Sequence, residues 1–123
     1  MKRTLVSLLL IAGLGFSSKA QTKAVLTDKI SLPTVQCWMC KQRIESYVKR
    51  YDGVLSIVVN VKKKEATVKY LTDRTNIEAI KTAIANAGFD AGDIMANEDS
   101  YKALPKCCKK PEDGGGKDHP KQD

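Results

Sequence analysis

Apolar residues in the first third of the chain come in two rhythms. From Leu5 to Phe16 they run almost unbroken, relieved by Gly13 and Gly15. From Val25 to Val35 they alternate, Ile30 and Leu32 against Lys29 and Ser31. The alternation has the two-residue period of a half-buried strand, and Pro33, which cannot donate to a ladder, marks its end. Past Cys40 the period lengthens. Ile44, Tyr47, Val48 and Tyr51 stand at i, i+3, i+4 and i+7, while Lys41, Arg43, Glu45, Lys49 and Arg50 fall elsewhere on the wheel, so one amphipathic helix is predicted. Asp52-Gly53 stops it, glycine suiting the left-handed backbone at a helix end. Val54 to Val61 is rich in β-branched residues, with Ile57, Val59 and Val61 on one face. After the turn Lys62-Lys63-Lys64-Glu65, Ala66, Val68 and Tyr70 alternate with Thr67 and Lys69, which makes a hairpin. Thr75-Asn76-Ile77-Glu78 has the form of a capping box, and Ile77, Ile80, Ile84 and Ala87 follow at helical spacing up to Gly88. Phe89 to Met95 reads as a last short strand.

The resulting order, β-α-β-β-α-β, is that of an α+β, ferredoxin-like sandwich: an antiparallel four-stranded sheet with two helices on one face. Three segments are expected: a signal peptide over 1–20, one domain over 21–96, and a flexible cysteine-containing tail over 97–123. The signal reading rests on the basic start at Lys2 and Arg3, the apolar run, and small residues at Ser18 and Ala20 for cleavage after Ala20. The run is too short for a comfortable membrane span and no second follows it, so no stable membrane insertion is expected after cleavage. In the tail, Asn97 to Leu104 allows one helical turn that Pro105 ends, and the run Lys106-Cys107-Cys108-Lys109-Lys110 with Gly114-Gly115-Gly116 offers too little apolar surface to fold. His119, the single histidine, is read as solvated there.

Charge narrows the partners. The formal net charge of +7 falls to +4 once Lys2, Arg3 and Lys19 leave with the signal. Without a dense basic stripe interleaved with aromatics, nucleic acid is not expected as a partner. The lysine turn is read as solvated. No Ser/His/Asp set, carboxylate pair or phosphate-cradling glycine loop is present in the sequence, so no enzymatic activity is expected.

The chemistry concentrates at Val35-Gln36-Cys37-Trp38-Met39-Cys40. Two cysteines three apart at the mouth of a helix can turn both sulfurs toward one point, and the helix dipole favours their thiolates. Thiolates select Cu(I), Zn(II) or another thiophilic ion. The same spacing serves disulfide exchange or a structural disulfide, and spacing alone leaves these open.

With C-x-x-C in the first loop of this topology, the chain resembles the heavy-metal-associated domain family over about Lys29 to Met95. That family includes small copper chaperones, the N-terminal domains of copper-transporting ATPases and the periplasmic mercury-binding protein. Cys37 and Cys40 fall on its metal-binding cysteines, Asp52-Gly53-Val54 on its turn after the first helix, and Ala87-Gly88-Phe89 on its turn after the second. The family's Gly-Met-Thr before the first cysteine is replaced by Thr34-Val35-Gln36. Val35 can serve as the apolar plug, but Thr34 lacks glycine's backbone freedom. Trp38 and Met39 shield the metal, form part of a docking surface, or are simply tolerated on an exposed loop. Phe89 stands where the family places a residue near the metal loop.

The resemblance implies an exported protein, periplasmic or secreted, that binds one soft ion at Cys37 and Cys40 and passes it on by thiolate exchange. Cu(I) is favoured over Zn(II), which usually wants four ligands; Hg(II) in a mercury-resistance system is the alternative ion. Cys107 and Cys108 are secondary ligands if the tail folds back, or else a disulfide pair with another chain. The expected partner is a metal donor or acceptor such as a metal-transporting ATPase or membrane transporter, met by a monomer or a metal-bridged dimer. The basic residues Lys41, Arg43, Lys49 and Arg50 form a candidate rim for an acidic partner. The rival from another class is a periplasmic thiol-disulfide oxidoreductase.

Overall fold

A computed structural model describes residues 24–116. The signal segment 1–20 and His119 lie outside the described residues. Strands β1 (Val25–Ser31), β2 (Val54–Asn60) and β3 (Glu65–Leu71) and helices α1 (Trp38–Val48), α2 (Ile77–Asn86) and α3 (Glu98–Lys102) follow in the order β1-α1-β2-β3-α2-α3. Two 3-10 turns, Lys106–Cys108 and Pro111–Asp113, come after them.

The sheet is antiparallel with β3 in the middle, in the order β1-β3-β2. Its register sets Ile30 opposite Ala66 and Ile57 opposite Val68. Ile30, Ile57, Val59, Ala66, Val68 and Tyr70 are therefore buried on one face, together with Ile44 and Val48 of α1 and Ile80 and Ile84 of α2. Each such aliphatic side chain contributes about 1.5–3 kcal/mol by leaving water. Val25, Leu26, Leu55 and Val58 stay exposed, so the helices cover a single face.

Two helix details differ from the sequence reading. The N-cap of α2 is Asn76, whose side chain accepts from the Ala79 backbone at 2.9 Å, one residue beyond the expected Thr75. Tyr47 on α1 and Tyr51 just beyond its end do not join the core. They face solvent and pack on each other with ring centroids 5.7 Å apart.

The expected fourth strand, Phe89 to Met95, is not formed among the described residues. Its backbone turns back on itself instead, the Ala91 N–H donating to the Ile94 carbonyl at 2.8 Å and the Ile94 N–H to Ala91 at 3.0 Å. Only the Gly92 N–H reaches Ser31 at the end of β1, at 2.8 Å. Phe89 keeps its place, fully buried in the core.

Over residues 97–116 the chain stays on the domain: the helical turn expected within Asn97–Leu104 is α3, and the residues after Pro105, expected not to fold, are ordered as well. Asn97 is tied to α2 by its N–H on the Ala85 carbonyl at 2.9 Å, and it caps α3 through its side chain. Leu104 then drops into the core, 5% exposed. Gly88 makes room for it: at φ +106° a Cβ would meet Leu104 Cδ2 and the Ser100 carbonyl at 3.0 Å. A few buried residues, Leu104 and Cys108 among them, dock the segment, without the extended apolar surface a free-standing element would need. Beyond it, Tyr101 hydrogen-bonds Asp113, its hydroxyl accepts from the Lys110 N–H at 2.8 Å, and Lys110 lies 3.9 Å from Asp90.

Candidate metal centre

Cys37 stands at the N-cap of α1 with extended backbone (φ −151°), and Cys40 follows in the first turn. The loop that delivers them is fixed from three sides. Leu32 and Val35 are fully buried. The Leu32 N–H donates to the Lys64 carbonyl at 2.8 Å, and Lys64 Nζ returns to the Val35 carbonyl at 2.7 Å. Thr34 Oγ1 accepts from the Asp90 N–H at 3.2 Å. Among the described residues Lys64 is the single non-glycine with positive φ, so Thr34 sits where no glycine is required. Lys64, read from sequence as part of a solvated turn, is a prop of the loop that carries Cys37.

The C-terminal segment completes the centre. Its first 3-10 turn packs on α1 and carries Cys108 inward, where it is as fully buried as Cys40, while Cys37 is 5% exposed. The Sγ atoms of Cys37, Cys40 and Cys108 all lie within 4.8 Å of one another. Cys37 is 3.3 Å from Cys40 and 3.9 Å from Cys108, and Cys40 and Cys108 are 2.6 Å apart. Four sulfurs about 2.3 Å from a tetrahedral ion stand about 3.8 Å from one another; the first two separations lie near that, and the third is shorter. Cys107 is half-buried at the rim, 3.4 Å from Cys37 Sγ and 3.5 Å from Met39 Sδ.

Protonation is divided unevenly. The hydrogen bond with Cys108 holds the Cys40 thiol down to about 6, against the opposing effect of burial. Burial pushes the Cys37 thiol up to about 11. Cys108 is raised by its hydrogen bond with Cys40 and by burial. In the metal-free cluster Cys40 is thus the sulfur that gives up its proton most readily, and Cys37 and Cys108 hold theirs more tightly. An ion that takes all three sulfurs must displace the protons of Cys37 and Cys108, so its affinity rises with pH.

Around the cluster, Trp38 and Met39 line a surface groove of about 310 Å³ with Gln42, Arg43, Ser46 and Pro105. Phe89 and Val35 belong to the same buried core as the three cysteines. The basic rim is smaller than the sequence implied. Lys41 Nζ is spent on the Val59 carbonyl and Glu45, both at 2.8 Å, and Arg43 Nε donates to Ala87 at 3.3 Å. Lys49 and Arg50 remain exposed.

Known proteins share the domain. The chain is 32% identical over 76 residues to a copper-exporting P-type ATPase of Staphylococcus aureus (strain Newman), covering 62% of this chain but 10% of that protein. Among solved structures, the CopZ metallochaperone superposes with a TM-score of 0.52 at 27% identity, over 54% of this chain and 98% of that one. Oxidized MerP from Ralstonia metallidurans CH34 gives 0.54 at 23% identity, over 56% and 96%, a likeness of fold. The profile described as heavy-metal-associated domain matches residues 29–90, which run from β1 through Cys37 and Cys40 to the turn after α2. By that match over half its length, the chain belongs to the heavy-metal-associated domain family.

Proposed function

We propose that the protein is an exported carrier of a soft metal ion, Cu(I) first among them, held by Cys37, Cys40 and Cys108 and surrendered by thiolate exchange. The observation that carries this reading is the convergence of three buried sulfurs from two distant segments within 4.8 Å. Soft sulfur donors in a dry site favour Cu(I) over the harder ions. Hg(II), with its preference for two sulfurs in line, gains less from the third.

Transfer follows from the way the site is built. Cys37 and Cys40 are anchored to α1, whereas Cys108 rides on the C-terminal segment, a 3-10 turn packed against α1. A first partner thiolate takes the coordination place of Cys108, and further partner thiolates then replace Cys37 and Cys40 in turn, each new metal–sulfur bond forming as an old one breaks, so free ion is never released. The acceptor we infer is a thiolate-bearing metal transporter, in keeping with the copper-exporting ATPases among the relatives. The basic start and apolar run within residues 1–20 support a carrier that works in the periplasm or outside the cell.

The oxidoreductase reading fares worse. Disulfide exchange needs an attacking thiolate that a substrate disulfide can reach, and Cys40, the low-pKa sulfur, is 0% exposed. The test is anaerobic titration of the reduced protein with Cu(I), Hg(II) and Zn(II) against competing chelators. Tight Cu(I) binding that is lost in Cys40→Ser and weakened in Cys108→Ser supports the carrier. Rapid disulfide exchange without tight soft-metal binding overturns it.

A further inference from the structure

We infer that the rim of the cluster forms a second Cu(I) position, made by the Cys107 thiolate and the Met39 thioether and bridged to the inner ion by Cys37. This rests on the carrier reading above and extends it from one ion to two.

Cys107 and Cys108 are neighbours on a 3-10 turn, where successive side chains point about 120° apart. When Cys108 turns into the core, Cys107 is therefore directed away from it. What it meets there is sulfur: Met39 Sδ at 3.5 Å and Cys37 Sγ at 3.4 Å, with Cys108 Sγ at 4.0 Å. Met39 is 37% exposed at the helix mouth, although the interior is where a methionine usually gains most by burial. A neutral thioether is a ligand for Cu(I) and a poor one for Zn(II), so the chemistry of the pair selects the ion. Inner and outer sets together hold four thiolates and one thioether, more than one Cu(I) uses. A bridging Cys37 lets the two ions share a thiolate, as sulfur does in small Cu(I) clusters. Because the outer pair is open to solvent and the inner trio is not, the outer position is where an ion enters or leaves.

The experiment is native mass spectrometry and chelator competition on the reduced full chain titrated anaerobically with Cu(I). The arms are wild type, Cys107→Ser, Met39→Leu, Cys108→Ser and, as a control distant from sulfur, Met95→Leu. The wild-type monomer takes up about two equivalents, Cys107→Ser stops at one, and Met39→Leu keeps the first while weakening the second by about tenfold. Met95→Leu matches wild type, and Zn(II) binding is indifferent to Met39→Leu. A wild type that stops at one equivalent overturns the second position. So does a second equivalent that survives either rim substitution at full affinity; if only Cys107→Ser acts, Met39 is not a ligand and the position as described is wrong. Failure of the carrier reading looks different: the first equivalent itself is then weak or insensitive to Cys108→Ser.

Discussion

The two cysteine pairs are built on opposite plans. Cys37 and Cys40 straddle the start of a helix, where spacing by three brings both sulfurs to one side, and both are buried. Cys107 and Cys108 are adjacent, so one side chain goes inward and the other is left at the rim. The first pair owes its spacing to local backbone, with Lys64 and Asp90 bracing the loop that leads into it. The second owes its placement to Leu104, Gly88 and Tyr101, which lie outside the cysteine turn and decide which sulfur enters. Spacing builds a claw, whereas adjacency divides its sulfurs between two environments.

That contrast can be broken most directly at its stronger side. Exchanging both Cys37 and Cys40 for Ser abolishes tight Cu(I) binding in chelator competition; retention of it by Cys107 and Cys108 alone would reverse the assigned hierarchy. Next, Cys108→Ser weakens the first Cu(I) equivalent by about 100-fold, the upper end of what supporting ligands contribute, while Cys107→Ser leaves that equivalent unchanged. Equal effects of the two substitutions would mean that the inward and outward assignments are mistaken.

A third substitution acts through packing. Leu104→Ala removes a buried side chain and destabilises docking of the C-terminal segment by about 2–3 kcal/mol. Hydrogen exchange should then show residues 98–113 losing protection while the sheet keeps it. If the sheet opens to the same extent, the segment is not a separable unit.

A fourth effect is a pH dependence of the reduced, metal-free protein. The Cys40 thiol is lowered from 9.0 to about 6, so its contribution to stability is present above pH 9 and is lost as pH falls through 6. Cys37 is raised from 9.0 to about 11; its contribution is present below pH 9 and is lost as pH rises through 11. Thermal melts of the wild type relative to Cys40→Ser should therefore gain between pH 6 and 9. A flat difference curve would remove the low-pKa thiolate from the site.

Much of this was legible in the sequence because it depends on near neighbours. The two-residue alternation in Ala66, Val68 and Tyr70 and the Gly53 and Gly88 stops reappear in the fold, as does the helix-mouth position of Cys37. The losses share a cause. The final strand failed because its hydrogen bonds go into its own turn at Ala91 and Ile94, a choice that apolar pattern does not record. The C-terminal segment looked too polar to fold because composition averages over it, while its docking turns on a few buried residues, Leu104 and Cys108 among them. The leucine ahead of a cysteine pair was the available signal. Lys64 left no signal at all, since its role depends on a loop far away in the chain meeting the hairpin turn.

Cys40 and Cys108 are separated by 68 positions, almost the span of the whole domain. An ion gripped by both closes that span as a reversible cross-link, and a loop of this size loses about 4 kcal/mol of unfolded-state entropy when it is closed. Cargo is then also a rivet. The loaded carrier should unfold as one unit and resist proteolysis, and the emptied one should fray from its C-terminal end, so that the lifetime of each molecule follows whether it is still carrying metal.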